Sequence, residues 1–431
     1  MRNPNSFAVA IMLLGVSSTF MCVADLNAAE RNAAERNAPE PWHQFRGPQG
    51  NGHSKVTSLP TVWSDTEHVR WKIENGGKAW SSPVVWGDQI WVTNAPEDGK
   101  KLFAQCLDAR SGKLLHDILV FDIAEPQFCI PKNSYASCTP CLEEGRVYVH
   151  FGSPGTAAID TQSGKVLWTR QDLPCNHHRG AASSPVLFEN LLILTFDGFD
   201  LQYTVALDKN TGKTVWKRDR NIEYDSADGD TKKAYGTPSV FEVGGKVQLV
   251  SPSAGATIAY DPHSGKEIWR VRSGGMNASC RPIHGEGMFF VTTADGGFKM
   301  FAVRDDGNGD VTGSHVIWKL NKGVPRYGSP ILVDGLLYMG NEGGMITCVD
   351  ARTSDLVWQE RLGGLFTASP IYAAGHVYFF SEDGAAPVLE ANRKFKLVAN
   401  NKLEGGFMAS PAVMGNQLIL RTTTHTYCIG E

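Results

Sequence analysis

The residues best suited to bind a ligand are cations, histidines and aromatic side chains in the loops ahead of a recurring Ser/Thr-Pro dipeptide. Arginine and histidine bind anions, aromatic faces stack on other groups, and loops commonly carry binding residues. The candidate ligand-binding residues are Trp80, Tyr135, His177, His178, Arg179, Tyr235, Asn277, Arg281, Arg326, Tyr327 and Glu342. Nearby turns add further carboxylates: Asp197, Asp200, Asp295, Glu382 and Asp383.

The stretch CNHHRG and an acidic loop are the two places where a metal site has to be considered. Adjacent side chains point apart in an extended segment, so His177 and His178 are not expected to share one metal ion. A carboxylate contact by Arg179 and a structural hydrogen bond by one histidine are preferred. DDGNGDVTG (305–313) has the Asp-x-Asn-x-Asp spacing of a calcium loop, but Ile317 stands where that loop needs an acidic ligand. We predict a solvated turn there, and no metal site.

Several catalytic motifs are absent from the sequence. It contains no G-x-S-x-G, no H-E-x-x-H and no glycine-rich phosphate loop, so the catalytic signals that these motifs supply are missing. The formal net charge is −4 and no block of like charges occurs. Nucleic acid is therefore not expected as a partner.

The N-terminus has the features of an export signal. Met1-Arg2 is a positively charged start, and the apolar run FAVAIMLLGVSSTFM is shorter than the roughly 18 residues of a spanning helix. We predict a cleaved signal peptide over residues 1–29, a flexible linker over 30–41 and a periplasmic or otherwise exported protein without a transmembrane segment. Phe and Met precede Cys22 where a lipoprotein signal would have small residues, so a lipid anchor at Cys22 is not predicted.

A repeated pattern organises the rest of the chain. A small residue, Ser or Thr, then Pro, an apolar strand, a Gly-containing turn and an alternating strand recur roughly every 40 to 50 residues. The copies centre on Pro83, Pro140, Pro185, Pro238, Pro282, Pro330, Pro370 and Pro411, with Arg281 replacing Ser or Thr in one copy. The 45 glycines and 22 prolines stand between apolar runs, which indicates many short strands joined by turns.

A second phrase follows most copies, as in AIDTQSGKVLW, ALDKNTGKTVW and AYDPHSGKEIW. Each unit therefore has four short strands, with glycine in the S-G-K or T-G-K turn where a hairpin requires positive φ. Eight units predict an all-β fold over residues 42–431, an eight-bladed β-propeller of four-stranded antiparallel blades. The last unit ends after its third strand, at HTYCIGE, so HVRWKIENGG (68–77) with Trp71 is expected to supply its outer strand.

The phrase A-h-D-x-x-[ST]-G-K-x-h-W, in which h is apolar, resembles the repeat of pyrroloquinoline-quinone-type (PQQ-like) β-propellers. The resemblance covers about residues 68–431, and WHQFRGPQGNG (42–52) resembles the opening of envelope propellers of this class in planctomycete-like bacteria. The group contains quinoprotein dehydrogenases and non-enzymatic relatives, among them the periplasmic propeller lipoprotein of the outer-membrane β-barrel assembly machinery. The resemblance implies the architecture, whereas function has to be argued from sites.

The cysteines fall into two groups. Cys106, Cys348 and Cys428 occupy the repeat position that holds alanine in other units, so they are predicted to be small buried residues. Four others lie in the enlarged loops before the second and third Pro strands: Cys129, Cys138, Cys141 and Cys175. In an exported protein such a cluster predicts disulfides rather than zinc, and their pairing stays open.

A non-catalytic binding or scaffolding module of the cell envelope is the function that these features favour. An envelope protein, a peptide or a small polar ligand would bind at the channel mouth of a monomer, without a cofactor. The alternative is a quinone-dependent alcohol or sugar dehydrogenase, which would hold PQQ and calcium over the channel. Against it, the chain is shorter than such enzymes usually are and has no adjacent Cys-Cys pair of the kind that typically stacks on their cofactor. No catalytic residue is predicted.

Overall fold

The structure is a computed structural model that describes residues 40–297 and 299–431. Within these ranges the chain forms β-strands and one short 3₁₀ helix, Gly229–Lys232. No helix in the described ranges has the length and apolar character needed to cross a membrane. The signal peptide predicted for residues 1–29 lies outside the described residues, as does nearly all of the linker predicted for 30–41, so both stay predictions.

Every blade is built from short strands whose bounds follow the repeat. The strands of the N-terminal half are β1 (Val69–Glu74), β2 (Val84–Trp86), β3 (Gln89–Asn94), β4 (Lys101–Asp108), β5 (Leu114–Asp122), β6 (Cys141–Glu143), β7 (Arg146–His150), β8 (Thr156–Asp160), β9 (Val166–Arg170), β10 (Val186–Phe188), β11 (Leu191–Asp197), β12 (Gln202–Asp208), β13 (Thr214–Asp219), β14 (Ser239–Val243), β15 (Lys246–Pro252), β16 (Ala256–Tyr260) and β17 (Glu267–Arg272). Those of the C-terminal half are β18 (Ile283–Gly285), β19 (Met288–Thr292), β20 (Met300–Arg304), β21 (Gly309–Asp310), β22 (Val316–Leu320), β23 (Ile331–Val333), β24 (Leu336–Gly340), β25 (Met345–Asp350), β26 (Leu356–Arg361), β27 (Ile371–Ala373), β28 (His376–Tyr378), β29 (Ala385–Glu390), β30 (Leu397–Lys402), β31 (Ala412–Met414), β32 (Gln417–Arg421) and β33 (His425–Ile429).

The described residues form eight sheets, in which strands pair antiparallel and in chain order except at the seam, where the ring closes, and at the short strand β21. The first strands of adjacent sheets contact one another, as β2 does with β6 and β31, so the first strands surround a central channel. The prediction of an eight-bladed, all-β propeller is therefore confirmed.

The N-terminal strand closes the ring. β1 pairs antiparallel with β33 and forms the outer strand of the eighth blade, with Trp71 opposite Cys428. This is the closure that the sequence predicts. Pairing both ends of the propeller in one sheet leaves no three-stranded blade with an open edge at the seam.

In five of the eight blades the tryptophan of the repeat joins the blade to the next one. Five indole N–H groups donate to a backbone carbonyl in the turn of the following blade: Trp71 to Ala109, Trp168 to Lys209, Trp216 to Pro262, Trp318 to Ala351 and Trp358 to Asn392. The glycine of such a turn lies under the ring, since a Cβ on Gly112 (φ +71°) would be 2.7 Å from a ring carbon of Trp71. Glycine is therefore needed both for the positive φ and for the missing side chain.

The fourth blade departs from this arrangement. The 305–313 loop does not form a free solvated turn, because it supplies β21, which adds to β17 as a fifth, parallel strand with Trp269 opposite Gly309. Asp310 in this strand accepts a hydrogen bond from Arg272 (3.1 Å). Trp269 is fully buried as a result, and it donates to Gln248 of its own blade (2.7 Å).

The Ser/Thr-Pro dipeptides form a ring of hydrogen bonds around the channel, here called the hydroxyl collar. In seven of the eight copies the hydroxyl accepts a backbone N–H from the equivalent residue of the preceding blade, at 2.9 to 3.0 Å. The N–H of Ser410 donates to the Ser82 hydroxyl, which continues the collar across the seam, and the collar is interrupted at Arg281, which has no hydroxyl. The collar residues are Ser82, Thr139, Ser184, Thr237, Ser329, Ser369 and Ser410.

Candidate functional site

Residues 42–54, here called the plug, cross the central channel. The plug forms hydrogen bonds with blades on both sides of the ring. On one side the carbonyls of Trp42 and His43 accept from the backbone N–H groups of Val85 and Leu142. On the other side Arg46 donates to the Pro330 carbonyl, and the Gly52 carbonyl accepts from the Tyr372 N–H. Arg281 of the fifth blade donates to the Phe45 carbonyl (2.5 Å) and to Gln44 Oε1 (3.1 Å). Since the first and fifth blades of an eight-membered ring lie opposite each other, a segment bonded to both blocks the channel.

A cavity of about 220 Å³, here called the cup, lies within the loops that precede the Pro strands. It is lined by Phe45 of the plug, by Lys132 and Met408, and by six of the seven collar residues. Six of the predicted ligand-binding residues also line it: Trp80, Arg179, Tyr235, Asn277, Arg326 and Tyr327. The structure therefore brings these six together, and their role in binding stays a prediction.

Each cation that lines the cup has a carboxylate partner behind it. The pairs are Arg179 with Asp230 (2.6 Å), Arg326 with Asp295 (2.8 Å), and Lys132 with Glu382. None of the three carboxylates belongs to the lining itself. The cup therefore exposes cationic groups whose positions are fixed by ion pairs.

Asp230 is shared between Arg179 and Lys233. Burial by itself raises the pKa of a carboxyl, but the hydrogen bond from Lys233 and the charges of Lys233 and Arg179 hold the pKa of Asp230 below its usual value. Burial lowers the pKa of Lys233, whose side chain is fully buried. The carboxylate is therefore held in its charged form and keeps Arg179 in place.

Asn277 is held in the lining of the cup by its backbone and by one side-chain hydrogen bond. Its backbone has φ +59°, a region that asparagine tolerates better than most residues do. Its Nδ2 donates to Asp295 (2.8 Å), whereas its Oδ1 has no hydrogen-bond partner among the described residues, although the atom is buried. The buried hydroxyl of Tyr235 also lacks a partner there. Buried polar atoms without partners are rare, so these two atoms lack a partner that a bound group could supply.

Three of the remaining predicted residues have structural contacts outside the cup. The Tyr135 ring lies against Gly99, and its hydroxyl donates to the Gln127 carbonyl (2.8 Å). His177 is 8% exposed, and its Nε2 accepts the backbone N–H of Ser153 (3.0 Å). Burial lowers the pKa of His177 to about 4, so the ring is neutral at neutral pH. Arg281 is 2% exposed and its guanidinium contacts the plug, so a ligand in the cup is separated from it.

The other two predicted residues also lie off the cup lining. His178 has φ +58°, and its ring lies near the rings of Phe128 and Phe199, with centroids 6.2 and 5.1 Å away. Glu342 is exposed in the turn between β24 and β25. The spacing of these residues places them in the correct loops, but it does not determine which side chains turn toward the channel.

The predicted disulfides are not found, because all eight cysteines of the described residues are free thiols. Cys138 and Cys141 are buried on either side of a collar dipeptide, whereas Cys129 lies beside the Arg179 carbonyl and Cys175 beside His177. Burial raises the pKa of Cys129 to about 11 and that of Cys138 to about 12, so these thiols are protonated and unreactive at neutral pH.

The three cysteines at the repeat position that holds alanine in other units are buried, as predicted. Cys106, Cys348 and Cys428 are fully buried, and each lies opposite the outer-strand residue that corresponds to the repeat tryptophan. Ala158 has the same place opposite Trp168. A small side chain is therefore required at this position, which explains the interchange of alanine and cysteine.

The repeat pattern does not reveal the plug, Lys132 or Met408 as parts of the site. Residues 42–54 have no repeat that would reveal their path, and Lys132 belongs to the same enlarged loop as Tyr135. No group of three or more His, Cys, Asp or Glu side chains suited to a metal ion occurs among the residues that the structure describes.

Relatives of known sequence fall into two classes. The outer membrane protein assembly factor BamB of Moranella endobia is 24% identical over 201 residues, which are 43% of this chain and 49% of that protein. The quinoprotein ethanol dehydrogenase of Pseudomonas aeruginosa is 34% identical over 148 residues, which are 30% of this chain and 21% of that enzyme. The chain thus spans about half the length of the BamB relative that it matches.

Solved structures of both classes share the fold. BamB from Moraxella catarrhalis superimposes with a TM-score of 0.57 at 11% identity, covering 84% of this chain and 99% of its own. Quinohemoprotein alcohol dehydrogenase from Comamonas testosteroni superimposes with a TM-score of 0.64 at 12% identity, covering 92% of this chain and 82% of its own. At these identities the two structures show the propeller fold alone.

The family match covers most of the described propeller. It extends over residues 64–218 and 200–429, from β1 to the final strand β33. The chain therefore belongs to the family described as outer membrane protein assembly factor BamB.

Proposed function

We propose that this chain is an exported, non-catalytic binding or scaffolding propeller of the cell envelope, and that a segment of an envelope protein binds in the cup. The observation that carries the proposal is the blocked channel. The plug forms hydrogen bonds with blades on opposite sides of the ring, so a molecule cannot pass through the channel. The cup is therefore a recess, and Phe45 of the plug forms part of its lining.

The lining of the cup suits a peptide or a small polar ligand. Trp80, Tyr235 and Tyr327 offer aromatic surface, and Arg179 and Arg326 offer hydrogen-bond donors. Tyrosine, tryptophan and arginine are the residues that most often carry the binding energy of protein interfaces. The BamB relatives are named as assembly factors of outer membrane proteins, which supports a partner in the envelope and a periplasmic site of action.

A quinone-dependent alcohol or sugar dehydrogenase is the second candidate, because one relative is named a quinoprotein ethanol dehydrogenase. Such an enzyme would need oxygen ligands for a calcium ion beside PQQ. Behind the lining of the cup, Asp295 already accepts from Asn277 and Arg326, both at 2.8 Å, and the other two carboxylates are paired with cations. These residues do not fit a calcium-held quinone, and we derive no catalytic step from it.

Site-specific photo-crosslinking tests the binding proposal. A photoreactive amino acid at Met408 faces the cup, and the same group at Leu167, 43% exposed on β9, is the control on the outer surface. In intact cells we expect an adduct with an envelope protein from position 408 that position 167 does not give. Arg179→Ala and Arg326→Ala should reduce this adduct. Each change also removes one ion pair of a half-buried carboxylate, at a cost of about 1 kcal/mol or less, so both variants should stay folded.

Two results would contradict the proposal. One is an identical set of adducts from positions 408 and 167. The other is dye-linked oxidation of alcohols by the purified protein after addition of PQQ and calcium, which would establish the dehydrogenase instead.

A further inference from the structure

The hydroxyl collar offers hydrogen-bond donors to the cup. Six collar residues line the cavity: Ser82, Thr139, Ser184, Thr237, Ser369 and Ser410. Each is at most 5% exposed, and the oxygen of each already accepts a backbone N–H. A hydroxyl also has one proton to donate, and within the described ranges none of these six donates to another residue. Their acceptors therefore have to come from whatever fills the cup.

The charges around the cup favour an anionic acceptor. Its lining contains Lys132, Arg179 and Arg326 and no carboxylate. The ion pairs behind the lining offset part of this charge, and the six neutral hydroxyls add donors to those that the cations still have. A carboxylate accepts several hydrogen bonds, and charge-assisted bonds of this kind are roughly twice as strong as neutral ones.

One group in the cup needs a donor instead. Asn277 is 7% exposed, lines the cavity, and has a buried Oδ1 without a partner among the described residues. Its amide orientation is set by the bond from Nδ2 to Asp295, so Oδ1 cannot exchange places with Nδ2 without losing that bond. A ligand for the cup should therefore carry an N–H or O–H group as well as a carboxylate.

We propose that the cup binds the C-terminal end of a peptide, with its carboxylate at the hydroxyl collar and a backbone N–H at Asn277 Oδ1. A chain end combines these two groups within one residue. It also suits a recess that the plug closes, because a chain can enter such a recess by its end but cannot pass through it. This inference rests on the proposed function and specifies which part of a partner the cup accepts.

Calorimetric titration of the full chain with two matched peptides tests the inference. The probes are acetyl-Ala-Ala-Phe with a free carboxylate and the same peptide with a C-terminal amide. We expect the free acid to bind at least about tenfold more tightly than the amide, which corresponds to about 1.4 kcal/mol. Equal affinities, or no binding of either peptide up to about 10 mM, would overturn the carboxylate proposal.

Two pairs of variants locate the binding. Asn277→Gly keeps the positive φ, removes the Oδ1 acceptor and should weaken binding of the free acid, whereas Asn416→Gly in an exposed turn should not. Thr237→Val removes one collar hydroxyl and should weaken binding of the free acid more than binding of the amide, because a hydrogen bond to a carboxylate is the stronger one. Thr237→Ser keeps the hydroxyl and should retain binding.

Melting curves show whether each variant is folded. If Thr237→Val does not fold, the Asn277 and Asn416 variants alone test whether the peptide binds in the cup. Unchanged binding of the free acid by folded Asn277→Gly would overturn the site. The crosslinking at Met408 is independent of the peptide's terminus. Adducts there, together with equal binding of acid and amide, would refute this inference and leave the proposed function standing.

Discussion

The seam between the eighth and first blades can be tested at Gly112. A Cβ at this position would lie 2.7 and 2.9 Å from two ring carbons of Trp71, and the residue has φ +71°. Gly112→Ala therefore has two costs. The left-handed conformation costs about 1–2 kcal/mol for a residue with a Cβ, and overpacking against a buried ring costs about 1–3 kcal/mol. The free energy of unfolding should fall by about 2–5 kcal/mol.

Gly145→Ala is the matched control. Gly145 has φ +75° in the turn of the second blade, and a Cβ there meets no atom within 4 Å. This variant should lose only the conformational part, about 1–2 kcal/mol. The difference between the two variants measures the contact of β1 with the first blade.

Urea unfolding of the two variants, alone and combined with Trp71→Ala, provides the assay. Without the Trp71 ring the overlap disappears, so Gly112→Ala should then cost no more than Gly145→Ala does. The expected coupling between Trp71 and Gly112 is about 1–3 kcal/mol. Additive effects, or equal costs of the two glycine changes in the parent, would refute this account of the seam.

Three further predictions concern the tryptophans, the N-terminal segment and a buried histidine. Alanine at Trp216, Trp269, Trp318 or Trp358, each at most 9% exposed, should cost about 3–5 kcal/mol in urea unfolding, and melting temperatures equal to the parent's would contradict the blade alignment. Trp168 is half-buried, so its change to alanine should lower the free energy of unfolding less than the other four changes do. Deleting residues 30–76 removes the plug and β1 and should cause aggregation in size-exclusion chromatography, whereas deleting 30–40 should not; a monomer that melts cooperatively after the longer deletion would exclude closure by β1. Burial lowers the pKa of His177 from 6.5 to about 4, so its neutral form contributes stability that is present above pH 6.5 and is lost as the pH falls toward 4. The unfolding free energy of His177→Gln should vary less with pH over this interval, and an unchanged slope would show that His177 does not titrate on unfolding.

Some residues were misjudged because the sequence places a loop but not the direction of its side chains. Arg281 stands in a loop before a Pro strand, as Trp80 and Arg326 do, and the sequence alone assigns all three to the ligand site. Arg281 instead turns to the Phe45 carbonyl, because the plug brings otherwise unpaired carbonyl oxygens into the channel. The cysteine cluster failed for the same reason, since proximity in sequence does not bring two sulfur atoms to bonding distance.

The sequence by itself determined the propeller, the number of blades and the closing strand. Each blade repeats the same local pattern and packs mainly against the neighbouring copies. A pattern of about 40 to 50 residues is therefore enough to predict the blade, and the number of its copies predicts the number of blades. The tertiary structure alone decided that the channel is blocked and which side chains form the cup. Those features depend on bonds such as Arg46 to the Pro330 carbonyl, 284 residues apart in the chain. A segment without a repeat carries no local signal of such partners, because they become neighbours only when the ring has closed.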